Sequence, residues 1–193
     1  MILRLLYSLL VFTSFVSITS CMSSARKPIN ADFIDGEPNP NVRSDAIIAD
    51  LKRTQKDRKF EVEVYPITKT LLQAQRKSKA AIEKLVANEN CLMFELSSAS
   101  KRRAHFSDWI AQVHDADGRV LDVEFANVRG AASVPLLMKS DREYTWSRKS
   151  MGCTQRFDVA RGFKVYLLER GRDDKPEFVL EWLPSVTTGN LLR

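Results

Sequence analysis

The sequence predicts a mainly β protein: an antiparallel β-sandwich with one amphipathic helix at about 70–88. Two patterns carry that prediction. From residue 90 onward, apolar and polar residues alternate in short runs, the period of half-buried strands, and turn residues such as Asp117-Gly118, Gly162 and Asp173-Asp174-Lys175-Pro176 separate the runs. Ahead of them, Leu71, Ala74, Ser78, Ile82 and Leu85 recur at steps of three and four, which places them on one face of a helix.

Taken in order, the chain opens on a leader. Arg4 and the free amino terminus precede an apolar run over residues 5–18, broken by Ser8, Thr13, Ser14 and Ser17. A bilayer-spanning helix needs roughly 20 apolar residues, so the run has the length of a secretory signal core. Residues 22–43 contain Pro28, Pro38, Pro40 and Gly36 without periodicity and read as a flexible tether, counted from Cys21 as 21–43. Over 44–59, Ser44 is a suitable N-cap and Asp45 suits the first turn. Ile47, Ile48 and Leu51 form a short stripe, and Lys52, Arg53, Lys56, Arg58 and Lys59 load the end with charge favoured by a helix C-terminus. Phe60, Val62 and Val64 then alternate with Glu61, Glu63 and Tyr65 as a strand ended by Pro66. Thr70 and Gln73 are placed for a capping box at the head of the amphipathic helix.

The β region follows. Its strands are expected at 91–96, at 109–114 with the Asp117-Gly118 turn leading into 121–125, at 134–138, around Tyr144 and Trp146, at 163–167 and at 178–182. Residues 44–184 thus read as one β-rich domain with an N-terminal helix, and 185–193 as a loose tail.

Ile18-Thr19-Ser20-Cys21 resembles the lipobox of bacterial lipoproteins, although that pattern commonly has Leu where Ile18 stands and Ala or Ser where Thr19 stands. The resemblance implies that 1–20 is a signal peptide, that Cys21 is diacylated, and that the protein is held in the cell envelope by its lipid. Met22 follows the cysteine in place of Asp, which by the enterobacterial sorting rule implies the outer membrane, facing the periplasm. The alternative is ordinary secretion, with Ser23 and Ala25 as the small residues of the cleavage site. In either case Cys21 leaves the count of three cysteines, and Cys91 and Cys153 remain to pair in an oxidising compartment. Cys91, Trp109 and Cys153 also resemble, in order and rough spacing, the Cys–Trp–Cys core of immunoglobulin-like domains. Met151 stands where that family has its corner tyrosine. In that family the Trp packs on a disulfide between two sheets.

Function is less legible. Removing 1–20 leaves 173 residues with 29 basic against 24 acidic, a modest net +5. Outside the cytoplasm this favours anionic headgroups or glycans weakly, and nucleic acid is not expected. No Walker loop, G-x-G-x-x-G or G-x-S-x-G occurs, so no cofactor is expected. His114-Asp115-Ala116-Asp117-Gly118 lacks the ligand spacing of a calcium loop and suits a tight turn better. Ser107, His105 and Asp108, read as strand residues, point to alternate sides and cannot converge as a triad. Lys101, Arg102 and Arg103 are the candidate anion-binding cluster, and Trp109, Trp146 and Trp182 the candidate stacking rings, with Trp109 expected in the core. The expectation is therefore a non-catalytic binding or scaffolding role, its partners the membrane and an envelope protein or anionic glycan. A glycan or lipopolysaccharide module and an envelope hydrolase are the alternatives.

Overall fold

The computed structural model describes residues 26–36, 41–57, 59–86, 89–98, 105–126, 134–135, 146–171 and 175–186. The elements are β1 (Arg26–Asn30), α1 (Ser44–Leu51), β2 (Arg53–Lys56), β3 (Phe60–Pro66), α2 (Lys69–Ala74), α3 (Lys79–Val86), β4 (Glu89–Ser98), β5 (Trp109–Asp115), β6 (Val120–Phe125), β7 (Val134–Pro135), β8 (Trp146–Gln155), β9 (Phe163–Glu169) and β10 (Phe178–Val186). They form one sheet in the order β1-β10-β9-β5-β6-β8-β4-β3-β2, with β7 added on β8. Every pair is antiparallel except β1 with β10. The protein is mainly β, and the sheet curls until β2 lies beside β10, nearly closing a barrel. Inward residues of each strand, such as Val64, Phe94, Val113, Val165 and Leu180, meet in one core.

The immunoglobulin resemblance does not extend to this topology. Trp109 is buried, but it packs between Phe60 and Phe178, with ring centroids 5.1 and 5.9 Å away. Cys91 and Cys153 are disulfide-bonded as directly opposed residues of neighbouring strands, β4 and β8, with Cα atoms 4.1 Å apart. Leu92, Phe94 and Leu96 turn inward, so the pleat sends Cys91 to the outer side of the sheet. The bond therefore ties one sheet across two strands instead of joining two sheets.

Four local expectations are corrected. Residues 26–30 of the expected tether are a strand, because Ile29 is fully buried and β10 supplies a parallel backbone partner. The expected tail begins late, since β10 continues to Val186. The helix at 70–88 is two helices. Thr68, not Thr70, caps α2 by accepting from the Leu71 N–H, and Arg76 at φ 56° ends it, with the Lys77 N–H returning to the Leu72 carbonyl. Likewise the helix beginning at Ser44 stops at Leu51. Its N-cap is Arg43, with Ser44 the first helical residue, and beyond Leu51 the basic residues Arg53 and Lys56 enter β2.

Arg53 explains that last change. It sits at the seam where the sheet ends meet and is fully buried. Its guanidinium donates to the Asp50 and Lys52 carbonyls (2.7 and 2.9 Å) and, across the seam, to the Lys27 carbonyl of β1 (2.7 Å). It also lies 5.5 Å from the Trp182 ring centroid, and the Trp182 indole N–H donates to the Leu51 carbonyl (2.6 Å). Beside it the Val179 N–H of β10 donates to the Gln55 side-chain oxygen (2.9 Å), so side chains of β2 stand in for a backbone ladder. Burial lowers the Arg53 pKa to about 10, opposed by the Asp50 carboxylate, and the cation persists at neutral pH.

Arg53→Ala removes the donor from three carbonyls and leaves a cavity, so urea unfolding should show a loss of about 3 kcal/mol. Arg53→Lys, which keeps charge but loses the fork, should lose less. A loss below about 1 kcal/mol for the alanine variant would mean that the seam holds without this side chain.

Candidate functional site

A concavity lies where the sheet parts. β6 pairs with β5 only over Ala111–His114 against Val120–Val123, then leaves it, and Glu124 and Phe125 pair with Cys153 and Gly152 of β8. Gly152 makes that crossing possible. A Cβ there would stand 2.5 Å from Val123 Cγ1 and 3.0 Å from Phe94 Cε2, so only a residue without one lets β6 approach β8 so closely. The crossing opens a cleft of about 920 Å³ between β5 and β8.

Apolar residues form its floor. Phe106 and Phe125 pack with centroids 4.9 Å apart, and Trp109, Ala111 and Val123 complete the wall. Arg148, Lys149 and Arg170 line it as cations, Asp122 and Glu124 as anions. Lys149 reaches Glu95 on the adjacent strand at 2.9 Å, and the Ser147 hydroxyl donates to the same carboxylate at 2.7 Å. The bond to Glu95 raises the Lys149 pKa, so its charge is secure at physiological pH. The Arg148 guanidinium lies against His105 Nδ1. A cleft of this kind, apolar inside with charges of both signs at its walls, suits an amphipathic ligand or a peptide segment.

The residues singled out from the sequence fall in different places. Cys21 and the Lys101, Arg102 and Arg103 cluster lie outside the described residues. Ser107 and Asp108 belong to a 3-10 turn, so the strand-alternation argument against a triad does not apply to them. The reason they do not act together is local: the Ser107 hydroxyl bonds to its neighbour Asp108, and the His105 ring meets Arg148. Trp109 and Trp182 are buried, so they offer no stacking face.

His114 packs at a tilt against Tyr166, ring centroids 4.2 Å apart, and Asp115 is a turn residue. Its carboxylate accepts from the Asp117 and Arg119 N–H groups, both at 2.9 Å, and from the Arg119 guanidinium at 2.6 Å. The loop is three residues long, closed by the Asp115–Arg119 pair, with Gly118 at φ 79°. Among the described residues, Glu89, Cys91 and Cys153 are the group with metal-ligand proximity, and both sulfurs are already bonded to each other.

Sequence reasoning missed the cleft because β8 reads Trp-Ser-Arg-Lys-Ser-Met-Gly-Cys-Thr-Gln, with inward positions held by Ser150, Gly152 and Thr154. The one usable signal was a glycine inside an otherwise extended run.

No protein-family model and no curated protein matches the chain. Among solved structures it is similar to a DUF4426 family protein from Pseudomonas aeruginosa PAO1, at 10% identity, covering 70% of this chain and 98% of that one, with a TM-score of 0.35. A likeness of that size carries no argument about this chain's role.

Two substitutions check this geometry. Gly152→Ala should cost about 1–3 kcal/mol in chemical unfolding, because β6 must shift to admit the methyl group; a neutral result would contradict the close crossing. Asp115 offers a test in pH. Burial alone would raise its pKa, but the bonds from Arg119 and Asp117 outweigh burial and hold it below the ordinary carboxylate value. Its contribution is complete above the unfolded value of about 3.9 and is lost as pH falls through the lower folded value. Asp115→Asn should therefore lower Tm at pH 7, and the gap should close in strong acid; a gap constant across pH would exclude this origin.

Proposed function

We propose that the chain is a lipid-anchored envelope protein with a non-catalytic binding or scaffolding role, attached through Cys21 at the outer membrane and facing the periplasm. The observation that carries this reading is the Cys91–Cys153 bond. It accounts for two of three cysteines and belongs to an oxidising compartment, and the third stands at the end of an apolar leader, in the lipobox-like sequence. Anchoring would hold the β5–β8 cleft at high effective concentration near partners on the same membrane, so a weak contact would suffice. A segment of an envelope protein suits the apolar floor and mixed charges. An anionic glycan is the second ligand class, favoured by Arg148, Lys149 and Arg170.

The test is intact-mass measurement of the protein purified from native membranes, with and without reductant. The expected product begins at Cys21, carries fatty acyl mass, gains two hydrogens on reduction, and loses the acyl mass in a Cys21→Ala variant. An unacylated chain that retains its leader, with thiols free before reduction, would overturn the proposal.

A further inference from the structure

Among the described residues the first strand begins at Arg26, so four residues, 22–25, separate it from Cys21. Five Cα–Cα steps reach at most roughly 18 Å even when fully extended. A lipid on Cys21 therefore cannot hold the domain on a long stalk; part of the surface near Arg26 must lie close to the bilayer.

The strand register identifies which surface qualifies. Arg26 faces Glu181 on β10, Glu181 faces Lys164 on β9, and Lys164 faces His114 on β5, all on the outer side of the sheet. Strands spaced roughly 4.8 Å apart put His114, at the far end of that row, about 15 Å from Arg26, and Ile110, four residues along β5, about 20 Å away. Ile110, Val120 and Leu183 are 38, 53 and 37% exposed, and they are the exposed large apolar side chains among the described residues. All three project from this face, on β5, β6 and β10. Arg26 and Lys164 share the single carboxylate of Glu181, which leaves positive charge beside the anchor. A shallow groove of about 430 Å³ crosses the face between His114, Lys164, Tyr166 and Leu183. On the other side of the seam, the outward residues of β3 and β4 include Glu61, and Glu63 and Glu95 paired with Lys52 and Lys149, and no exposed large apolar residue is found there among the described residues.

The geometry points to the outer face of β1, β10, β9 and β5 as a docking surface for an anionic bilayer. The short leash holds it there, Leu183 and Ile110 (the latter at the rim of the β5–β8 cleft, which this face therefore borders) enter the headgroup layer, and Arg26 and Lys164 meet lipid phosphates. The inference rests on the anchoring at Cys21 proposed above. Bound this way, the domain has a fixed orientation on the membrane.

The test uses the full lipidated protein in phosphatidylethanolamine–phosphatidylglycerol vesicles containing a photoactivatable phosphatidylglycerol, with cross-links mapped by mass spectrometry. Peptides containing Ile110, Tyr166 and Leu183 should be labelled several-fold above those of β2, β3 and β4. An Ile110→Glu/Leu183→Glu variant that keeps its acyl mass and melting temperature should lose that enrichment. Labelling centred on β2–β4 or spread evenly would overturn the docking face and leave the anchor standing. A chain with no acyl mass would instead remove the anchor, and the docking inference with it.

Discussion

The structure depends on how a sheet with two ends is made to behave as though it had none. Exposed strand edges present unpaired amides and carbonyls and invite association. Here β10 pairs with β1 from Glu181 onward, while its first residues face β2, where no ladder forms. The gap is filled by Arg53, Gln55 and Trp182. Burying a guanidinium is costly, by several kcal/mol per ion even after relaxation. Arg53 recovers that through three carbonyl acceptors and an aromatic face, and through the nearby Asp50 carboxylate. Asp50 also binds Lys27 and the Asn30 N–H, so one turn of α1 and the start of β2 hold β1 by side chains alone. The chain's first strand is thereby part of the core, and its distance from Cys21 becomes a structural constraint.

The sheet's other irregularity lies opposite in kind. At the seam two strands that do not pair are brought together; at the cleft two neighbours that begin paired separate. β6 starts on β5 and finishes on β8, and the space it abandons is the cleft. The seam has few alternatives, since Arg53 is fully buried and both of its terminal nitrogens are committed to carbonyls. The cleft is bordered by exposed charged residues with room to rearrange around an occupant, as Lys149, Glu124 and Arg170 show. Binding fits the second place better than the first for that reason.

Much of this was legible where one side of a strand faces water. Phe60, Val62 and Val64, or Phe163, Val165 and Leu167, alternate cleanly because the sheet has a wet outside, and the pleat converts that into sequence. β1 was illegible because five residues with only Ile29 fully buried show no period. Arg53 was misread because a cation among Lys52, Lys56, Arg58 and Lys59 looks like a solvated helix end, and only tertiary contact makes it a core residue. The break at Arg76 had no announcing residue, since a non-glycine at positive φ is a choice that the surrounding packing imposes. The cleft was hidden by polar inward positions, which alternation scores as loop.

The position of the disulfide follows from the same crossing. Cys153 pairs with Cys91 on one side and with Glu124 on the other, so it lies where β4, β8 and the end of β6 meet. Beyond that point β6 contributes only Phe125 to the ladder, and the earlier part of β8 lacks β6 as a neighbour. There the two-residue β7 is its neighbour, at Ser147 and Trp146, and so short a partner holds a strand less firmly than a full ladder does. Closing a loop of 62 residues restricts the unfolded chain by roughly 4 kcal/mol on the chain-entropy model. Its placement adds something that the loop length alone does not: β8 is fixed to β4 beside the residue that must stay a glycine. The outer side of the sheet is the side available for this bond, because inward positions at that level belong to Leu92 and Gly152, which the β6 crossing needs. An inter-sheet disulfide in the core would have competed with Val123, Phe94 and Phe125 for the same volume, so the crossing strand and the buried bond exclude each other.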